Sequence, residues 1–354
     1  MARYIGLDVH SASCTMLVLS PSGKKLACHV VQTNAKSLID LIKTIPRPRL
    51  LCIEEGTQSA WLYETLSAHV DQMTVEAVSR TRGPAKPKDD LTDALGLAER
   101  LRTNSIKSKV FKDVGRFGKL RELVRVYGYQ VRDTVRVQNR LKAVYRSRGI
   151  KTGDAIYHPD DCKEWVSQLA PKLRPVAQLL SAQYQAVEQV REQAEKQLEA
   201  EARKHPIVAK LRTIPGIGSI RSAQLAAFIV SAHRFRTKRQ LWNYSGLGVV
   251  SFTSSNWDKD NDGPWERRMT NQTRGLNRNH NTIFKDIFKG AATTVIQRSD
   301  PTCPLYQHYL ALTQGKTKPN LAKLTIARQI AAITLTIMKK EVVYDPAAIS
   351  KTTT

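Results

Sequence analysis

The sequence predicts an α/β domain, followed by two long helices and a mostly helical C-terminal domain. Three observations predict this architecture: strand-like apolar runs alternate with helical stretches up to roughly residue 112, charged helical periodicity dominates from about 116 to 204, and glycine-rich turns separate the helical stretches from 206 to about 345. The chain of 354 residues is long enough for two or three domains that each bury a core.

The α/β domain is predicted element by element. Residues 3–31 are β-rich, with the turn sequence SPSG between the second and third strands, and a helical stretch follows around 35–45. The run RLLCIEE then predicts a buried strand, WLYETLSAHV a helix and MTVEAV another strand. The segment KPKDDLTDALGLAERL, residues 86–101, begins a further helix.

The middle region predicts an antiparallel or coiled-coil spacer. One long helix begins at KLRELVRV and a second helical region begins at WVSQLAPKLRPVAQLL, after a turn. A solvated outer face normally mixes charges of both signs, and the first helix hardly does. Its arginines form a stripe and are therefore candidates for binding nucleic acid: Arg121, Arg125, Arg132, Arg136 and Arg140.

The charge balance predicts a polyanionic partner. Lys and Arg number 56 against 31 Asp and Glu, which gives a net charge of +25 and a pI of about 10. Nucleic acid is the first such partner to consider, and a ribosomal or merely soluble basic protein is the alternative. Scattered cysteines without a C-x-x-C pair argue against a zinc site or a disulfide framework. Without a signal-peptide core or a membrane-spanning apolar run, we expect a soluble, cytoplasmic protein.

Acidic side chains lie at the ends of two predicted strands and in the first turn of a helix. They are Asp8, Glu54, Glu55, Asp89, Asp90 and Asp93. Strand ends of an α/β sheet converge on one edge, and residues three or four apart share a helix face, so Asp93 can pair with Asp89 or Asp90. Converging carboxylates raise one another's pKa unless a hard cation such as Mg²⁺ or Mn²⁺ binds them. Alternatively, the aspartates only stabilise the helix dipole. His10, near Asp8, could touch the site, but we expect a structural role for it.

The order strand-Asp, strand-Glu, helix-Asp resembles the RuvC-like branch of the RNase H-like nuclease fold. Three segments of the sequence resemble the three blocks of the DEDD transposases of the IS110 family: YIGLDVH, EEGTQSAW and KPKDDLTDALGLA. In the register set by Trp61, Glu55 rather than Glu54 matches the family glutamate. The third block of the family usually reads K-x-D-x-x-D-A, which aligns Asp90 and Asp93 and leaves Asp89 as a helix-start residue. The resemblance implies a catalytic tetrad that binds Mg²⁺ or Mn²⁺: Asp8, Glu55, Asp90 and Asp93.

Two C-terminal motifs extend the resemblance over nearly the whole chain. The sequence PGIG is close to a helix-hairpin-helix pattern, in which Gly216 and Gly218 would present backbone N–H groups to a phosphate. A turn between two packed helices is the alternative. The family's nucleophilic serine falls at Ser254, with Ser255 and Thr253 as alternatives, because the usual glycine and basic run after it are missing. A Ser/Thr-rich loop without chemistry is the other interpretation.

The resemblance implies a DNA recombinase of an insertion sequence, which cuts and rejoins donor and target DNA. It also implies a noncoding bridge RNA as guide, a dimer or tetramer, and a bacterial, nucleoid-associated location without a membrane. The expected domains are a RuvC-like catalytic domain at 1–115, a helical spacer at 116–205, a C-terminal transposase domain at 206–345 and a disordered tail at 346–354. The alternatives are a RuvC-type junction-resolving nuclease and a nucleic-acid-binding protein with an inactive nuclease-like domain.

Overall fold

The computed structural model describes residues 1–77, 89–112, 115, 117–158, 162–258 and 264–347. The chain forms two compact units, Met1–Arg116 and Phe117–Thr354. The two long helices predicted as a spacer belong to the second unit. Residues 348–354 of the predicted tail lie outside the described residues.

The first unit contains a mixed five-stranded sheet in the order β3-β2-β1-β4-β5. The central strand β1 pairs antiparallel with β2 and parallel with β4, and β4 pairs parallel with β5. The predicted alternation of strands and helices is confirmed. The elements are β1 (Arg3–Val9), β2 (Ser13–Leu19), β3 (Lys25–Gln32), α1 (Ala35–Thr44), β4 (Arg49–Glu54), α2 (Ser59–Leu66), β5 (Gln72–Glu76) and α3 (Asp90–Arg102).

Helices cover both faces of this sheet. Side chains alternate between the two faces along each strand, so both faces have side chains that pack against helices. Ile5 on β1 and Ile53 on β4 pack on one face in a core shared with α1 and α2. Cys52, on the opposite face of β4, packs against Leu97 of α3. Gly6 also lies on this second face and lets α3 approach β1 closely. The helix start that carries the aspartates is therefore held over the strand that carries Asp8.

The second unit is mostly helical. Its elements are α4 (Gly118–Arg146), α5 (Cys162–Ser167), α6 (Arg174–Ala202), α7 (Pro206–Arg212), α8 (Ser219–Ile229), α9 (Lys238–Tyr244), β6 (Val249–Asp258), β7 (Glu266–Leu276), α10 (Thr282–Arg298), α11 (Pro304–Gln314) and α12 (Pro319–Lys340).

The two long helices α4 and α6 run antiparallel. Lys119 near the start of α4 lies 3.4 Å from Glu201 near the end of α6. Tyr145 at the end of α4 shares a core cluster with Ala177 at the start of α6. The second helical region is interrupted between α5 and α6, because the residue before a proline avoids the helical conformation. Ala170, which precedes Pro171, accordingly has an extended ψ of 144°.

The C-terminal region departs from the predicted helices in one place. β6 and β7 form a two-stranded antiparallel hairpin, in which Asp258 pairs with Glu266. The Ser/Thr-rich segment around Ser254 is therefore a strand and not a loop.

The helix α12 is the one helix among the described residues that is long and apolar enough to cross a membrane, judged by length and composition alone. Its Ile326 and Ile330 are completely buried in the core of the second unit. The burial of these residues is that of a core helix of a globular unit.

Candidate metal centre and nucleic-acid interface

The predicted carboxylates Asp8 and Asp90 meet beside His10. Asp8 is near the end of β1, and Asp90 is the first residue of α3. The His10 Nε2 atom lies 3.1 Å from Asp8 Oδ2 and 3.2 Å from Asp90 Oδ1. One potential ligand atom from each of the three side chains lies within 4.8 Å of the other two. This spacing allows all three groups to surround a single cation.

The electrostatics of Asp8 favour a cation at this position. Burial raises the pKa of Asp8, the charges of Asp90 and Asp93 raise it further, and His10 partly opposes these effects. Asp93, in the first turn of α3, is thus close enough to act on Asp8. A bound divalent cation would stabilise the ionised form of these carboxylates, and hard oxygen donors suit Mg²⁺ or Mn²⁺. The residues present therefore fit the metal that the resemblance implies.

Asp89 has a different role from its neighbours. It is the N-cap of α3, and its side chain accepts a hydrogen bond from the backbone N–H of Leu91. It also accepts one from the hydroxyl of Thr92 at 3.1 Å. The prediction that Asp89 is a helix-start residue is confirmed.

Glu54 lies level with Asp8 on the neighbouring strand. The parallel pairing of Leu7 with Ile53 sets this register, and alternation along the strands places Asp8 and Glu54 on the face covered by α3. Burial raises the pKa of Glu54, the adjacent Glu76 raises it further and Arg100 partly opposes these effects, while Asp93 and Asp8 make smaller raising contributions. Glu54 is therefore electrostatically coupled to the candidate metal centre.

Glu55, which the family register favours, has a cationic partner already. Its Oε1 accepts a hydrogen bond from Lys112 Nζ at 2.9 Å, and its Oε2 accepts one from the Ser59 hydroxyl at 3.1 Å. The Lys112 side chain is only 14% exposed, so its ammonium group is poorly solvated and depends on this carboxylate. The two neighbouring glutamates thus have different electrostatic partners.

Ser254 lies on β6, in the second unit. Its backbone is opposite Thr270 of β7, in the regular part of the hairpin beyond the register shift between Val249 and Ser251. The nucleophile predicted from the sequence is therefore on a paired strand, which holds the backbone more rigidly than a loop does.

The predicted arginine stripe on α4 is not uniform. Arg121 is partly buried and donates a hydrogen bond to the carbonyl oxygen of Ala227 at 3.2 Å, so it contributes to packing. The other four are exposed, and three have a nearby partner on the same helix: Arg125 with Glu122, Arg132 with Tyr129, and Arg136 with Asp133. Exposed contacts of this kind, two ion pairs and one cation–π contact, are weak. These four arginines therefore remain accessible to a phosphate backbone.

The two glycines of the PGIG turn have different surroundings. Gly216 has a φ of +81°, and a Cβ there would lie 2.4 Å from the carbonyl oxygen of Ala291 on α10. Gly218 has no neighbouring atom within 4 Å of such a Cβ and is the N-cap of α8, where backbone N–H groups are free for an anion. A cavity of about 210 Å³ nearby is lined in part by Arg203, His205, Arg212 and Ser219.

Comparison with known proteins finds two family models that match different parts of the chain. Residues 5–147 match the family model of DEDD transposases of the IS110 type, and residues 208–306 match a model described as "Transposase IS116/IS110/IS902 family". No curated protein matches the chain significantly. A DEDD transposase domain implies an RNase H-like fold, and the mixed five-stranded sheet of the first unit is consistent with it.

Proposed function

This chain belongs to the IS110 family of transposases, and from this premise we propose how its residues recombine DNA. We propose that it cuts and rejoins donor and target DNA with a carboxylate metal site in the first unit and a serine nucleophile, Ser254, in the second. The proposal rests on the positions of Asp8 and Asp90, whose carboxylate oxygens are close enough to bind the same cation.

In this proposal Asp8, Asp90, Asp93 and one glutamate hold Mg²⁺ or Mn²⁺. When bound, the metal supplies Lewis-acid stabilisation of the attacking and leaving oxygens of a phosphodiester. The chain itself supplies orientation: Asp8 lies on the central strand, and Asp90 and Asp93 lie on the helix that packs across it. The repulsion from Asp90 and Asp93, which contributes to the raised pKa of Asp8, would be relieved by a bound cation.

For the fourth carboxylate we favour Glu54 over Glu55. Glu54 is level with Asp8 on the adjacent parallel strand and shares the face on which α3 packs. Glu55 is held by Lys112, and a metal ion there would have to compete with an ammonium group. The register set by Trp61 supports Glu55 instead, and the two choices are separated by substitution of each glutamate.

Ser254 would form a transient covalent link to DNA. Its hydroxyl oxygen bonds to phosphorus while the bond from phosphorus to the leaving deoxyribose oxygen breaks, and its proton passes to a general base. Ser255 and Thr253, next to it on β6, are the alternative nucleophiles. The pairing of β6 with β7 supports this role, because it limits movement of the backbone that carries the hydroxyl.

The binding of nucleic acid is proposed for two surfaces of the second unit. One consists of the exposed arginines of α4, and the other consists of the N-terminus of α8 with Gly218 and the adjacent cavity, which is lined by Arg203 and Arg212 together with Glu199. The net charge of +25 supports both. We further propose, from the family resemblance, that a noncoding bridge RNA guides the reaction, that the protein acts as a dimer or tetramer, and that it associates with the bacterial nucleoid in the cytoplasm.

A recombination assay tests the proposal. The full chain is combined with RNA from the flanks of its element, a donor DNA and a target DNA, with Mg²⁺ or Mn²⁺. We expect no strand cleavage with Asp8→Ala and no covalent protein–DNA product with Ser254→Ala. The exposed Ser251 on the same strand provides the matched control, Ser251→Ala, which should recombine normally. Strand cleavage by Asp8→Ala would refute the metal site. Full activity of Ser254→Ala would mean that Ser255 or Thr253 is the nucleophile.

A further inference from the structure

The geometry around Asp8 points to His10 as a direct ligand of the metal ion. We propose that His10 Nε2 completes the coordination shell begun by Asp8 and Asp90, which makes the site mixed nitrogen and oxygen rather than purely carboxylate. This inference rests on the proposed metal site and adds a residue outside the predicted DEDD tetrad.

The position of Nε2 carries the inference. It lies 3.1 Å from one carboxylate oxygen and 3.2 Å from the other. A neutral imidazole has a single N–H, and a single N–H cannot make two full hydrogen bonds in different directions. The same nitrogen, with its proton removed, is a good ligand to a divalent ion that the two carboxylates share.

The backbone of His10 is fixed although its side chain is 55% exposed. The His10 N–H donates to the carbonyl oxygen of Ser13 at 3.0 Å, and its own carbonyl accepts from the Thr33 hydroxyl at 2.8 Å. These bonds hold the residue at the turn between β1 and β2, two residues beyond Asp8. The imidazole ring can therefore change position only by rotation about its side-chain bonds, while the backbone of His10 stays within reach of the metal.

A nitrogen ligand has a consequence for metal choice. Imidazole suits transition metals, whereas Mg²⁺ favours oxygen donors and keeps several waters. With His10 in the shell, the site should prefer Mn²⁺ over Mg²⁺ more strongly than a site made of carboxylates alone. If His10 only hydrogen-bonded to the carboxylates from outside the shell, its removal would weaken both metals alike.

Pulsed electron paramagnetic resonance on Mn²⁺ bound to the full chain tests the inference directly. We expect a ¹⁴N coupling typical of a bound imidazole, replaced by a ¹⁵N coupling in protein labelled with ¹⁵N-histidine and lost in His10→Gln. Mn²⁺ affinity should fall at least roughly tenfold in His10→Gln, since even outer-shell partners commonly contribute that much, and Mg²⁺ affinity should fall less. His29→Gln, at an exposed histidine of β3 in the same unit, is the matched control and should leave both affinities unchanged.

The outcomes separate this inference from the proposed function. Mn²⁺ that binds to wild type and not to Asp8→Asn, without histidine coupling, would refute His10 as a ligand and leave the metal site in place. Equal losses of Mn²⁺ and Mg²⁺ affinity in His10→Gln would also refute it. The absence of any Mn²⁺ binding that depends on Asp8 would overturn the proposed metal site, and this inference with it.

Discussion

Gly6 of β1 lies directly against Ala94 of α3. A Cβ added at Gly6 would be 2.0 Å from the Ala94 carbonyl oxygen and 2.7 Å from the amide nitrogen of Ala98. No L side chain fits in this space without a shift of the helix backbone. The missing side chain of Gly6 thus sets the distance between the strand that carries Asp8 and the helix that carries Asp90.

We expect Gly6→Ala to disrupt both the fold of the first unit and its metal site. Overpacking typically costs about 1–3 kcal/mol, and here the obstacle is backbone, so the free energy of unfolding should fall by at least that amount. Denaturant unfolding measures the loss, and Mn²⁺ titration measures the effect on the site. Gly56→Ala, where an added Cβ meets no atom within 4 Å, is the control and should cost less than about 1 kcal/mol. If Gly6→Ala were as stable as the wild-type protein, this would contradict the close packing of α3 on β1.

The raised pKa of Asp8 predicts that Asp8→Asn stabilises the metal-free protein at neutral pH. A carboxyl group whose folded-state pKa exceeds its ordinary value of 3.8 costs stability once it ionises. This cost is absent below the ordinary value, develops as the pH rises through the raised folded pKa and is complete above it. In EDTA, the Tm of Asp8→Asn should therefore exceed that of wild type at pH 7, and the difference should disappear below the ordinary value of 3.8.

Added Mn²⁺ should reverse this order by raising the Tm of wild type and not that of Asp8→Asn. An Asp8→Asn variant less stable than wild type in EDTA at pH 7 would contradict the electrostatic description of the site.

The two glutamates at the end of β4 should respond differently to substitution. Glu54→Gln should lower Mn²⁺ affinity by about 10–100-fold or more, the range known for groups that support a metal, and should abolish strand cleavage. Glu55→Gln should leave Mn²⁺ affinity within a few-fold and instead destabilise the unit, because the poorly exposed Lys112 loses its partner. Calorimetric titration with Mn²⁺ distinguishes the two variants. The opposite pattern would establish Glu55 as the ligand.

The glycines of the PGIG turn provide a matched pair. Gly216→Ala should destabilise the second unit by more than about 1–2 kcal/mol, since a left-handed φ is costly for an L-residue and the Cβ meets Ala291. Gly218→Ala should cost less than about 1 kcal/mol yet weaken binding to DNA, because the added methyl group obstructs a phosphate at the N-terminus of α8. The salt dependence of DNA affinity should hardly change in Gly218→Ala, as no charged contact is removed. Unaltered DNA affinity of this variant would show that the turn only joins two helices.

The sequence predicted most elements of the first unit, because strands and helices there have clear apolar patterns and turn residues. The resemblance to the family, and not the spacing, left Asp89 as the residue that starts α3, and in the structure it is the N-cap of that helix. Sequence patterns were less informative where the pairing of strands in the tertiary structure determines the secondary structure. The β6–β7 hairpin was missed because its strands are largely polar.

The amino-acid sequence by itself determined the family, the positive charge and the acidic residues from which a metal site is drawn, because these depend on residue types and their order along the chain. Only the tertiary structure decided which of these residues meet. The register of β4 against β1 places Glu54 level with Asp8, and the turn after β1 brings His10 between Asp8 and Asp90. A shift of one residue moves a side chain to the other face of a sheet. The composition of the site therefore depends on strand register and on the close approach at Gly6, neither of which is visible in a linear sequence.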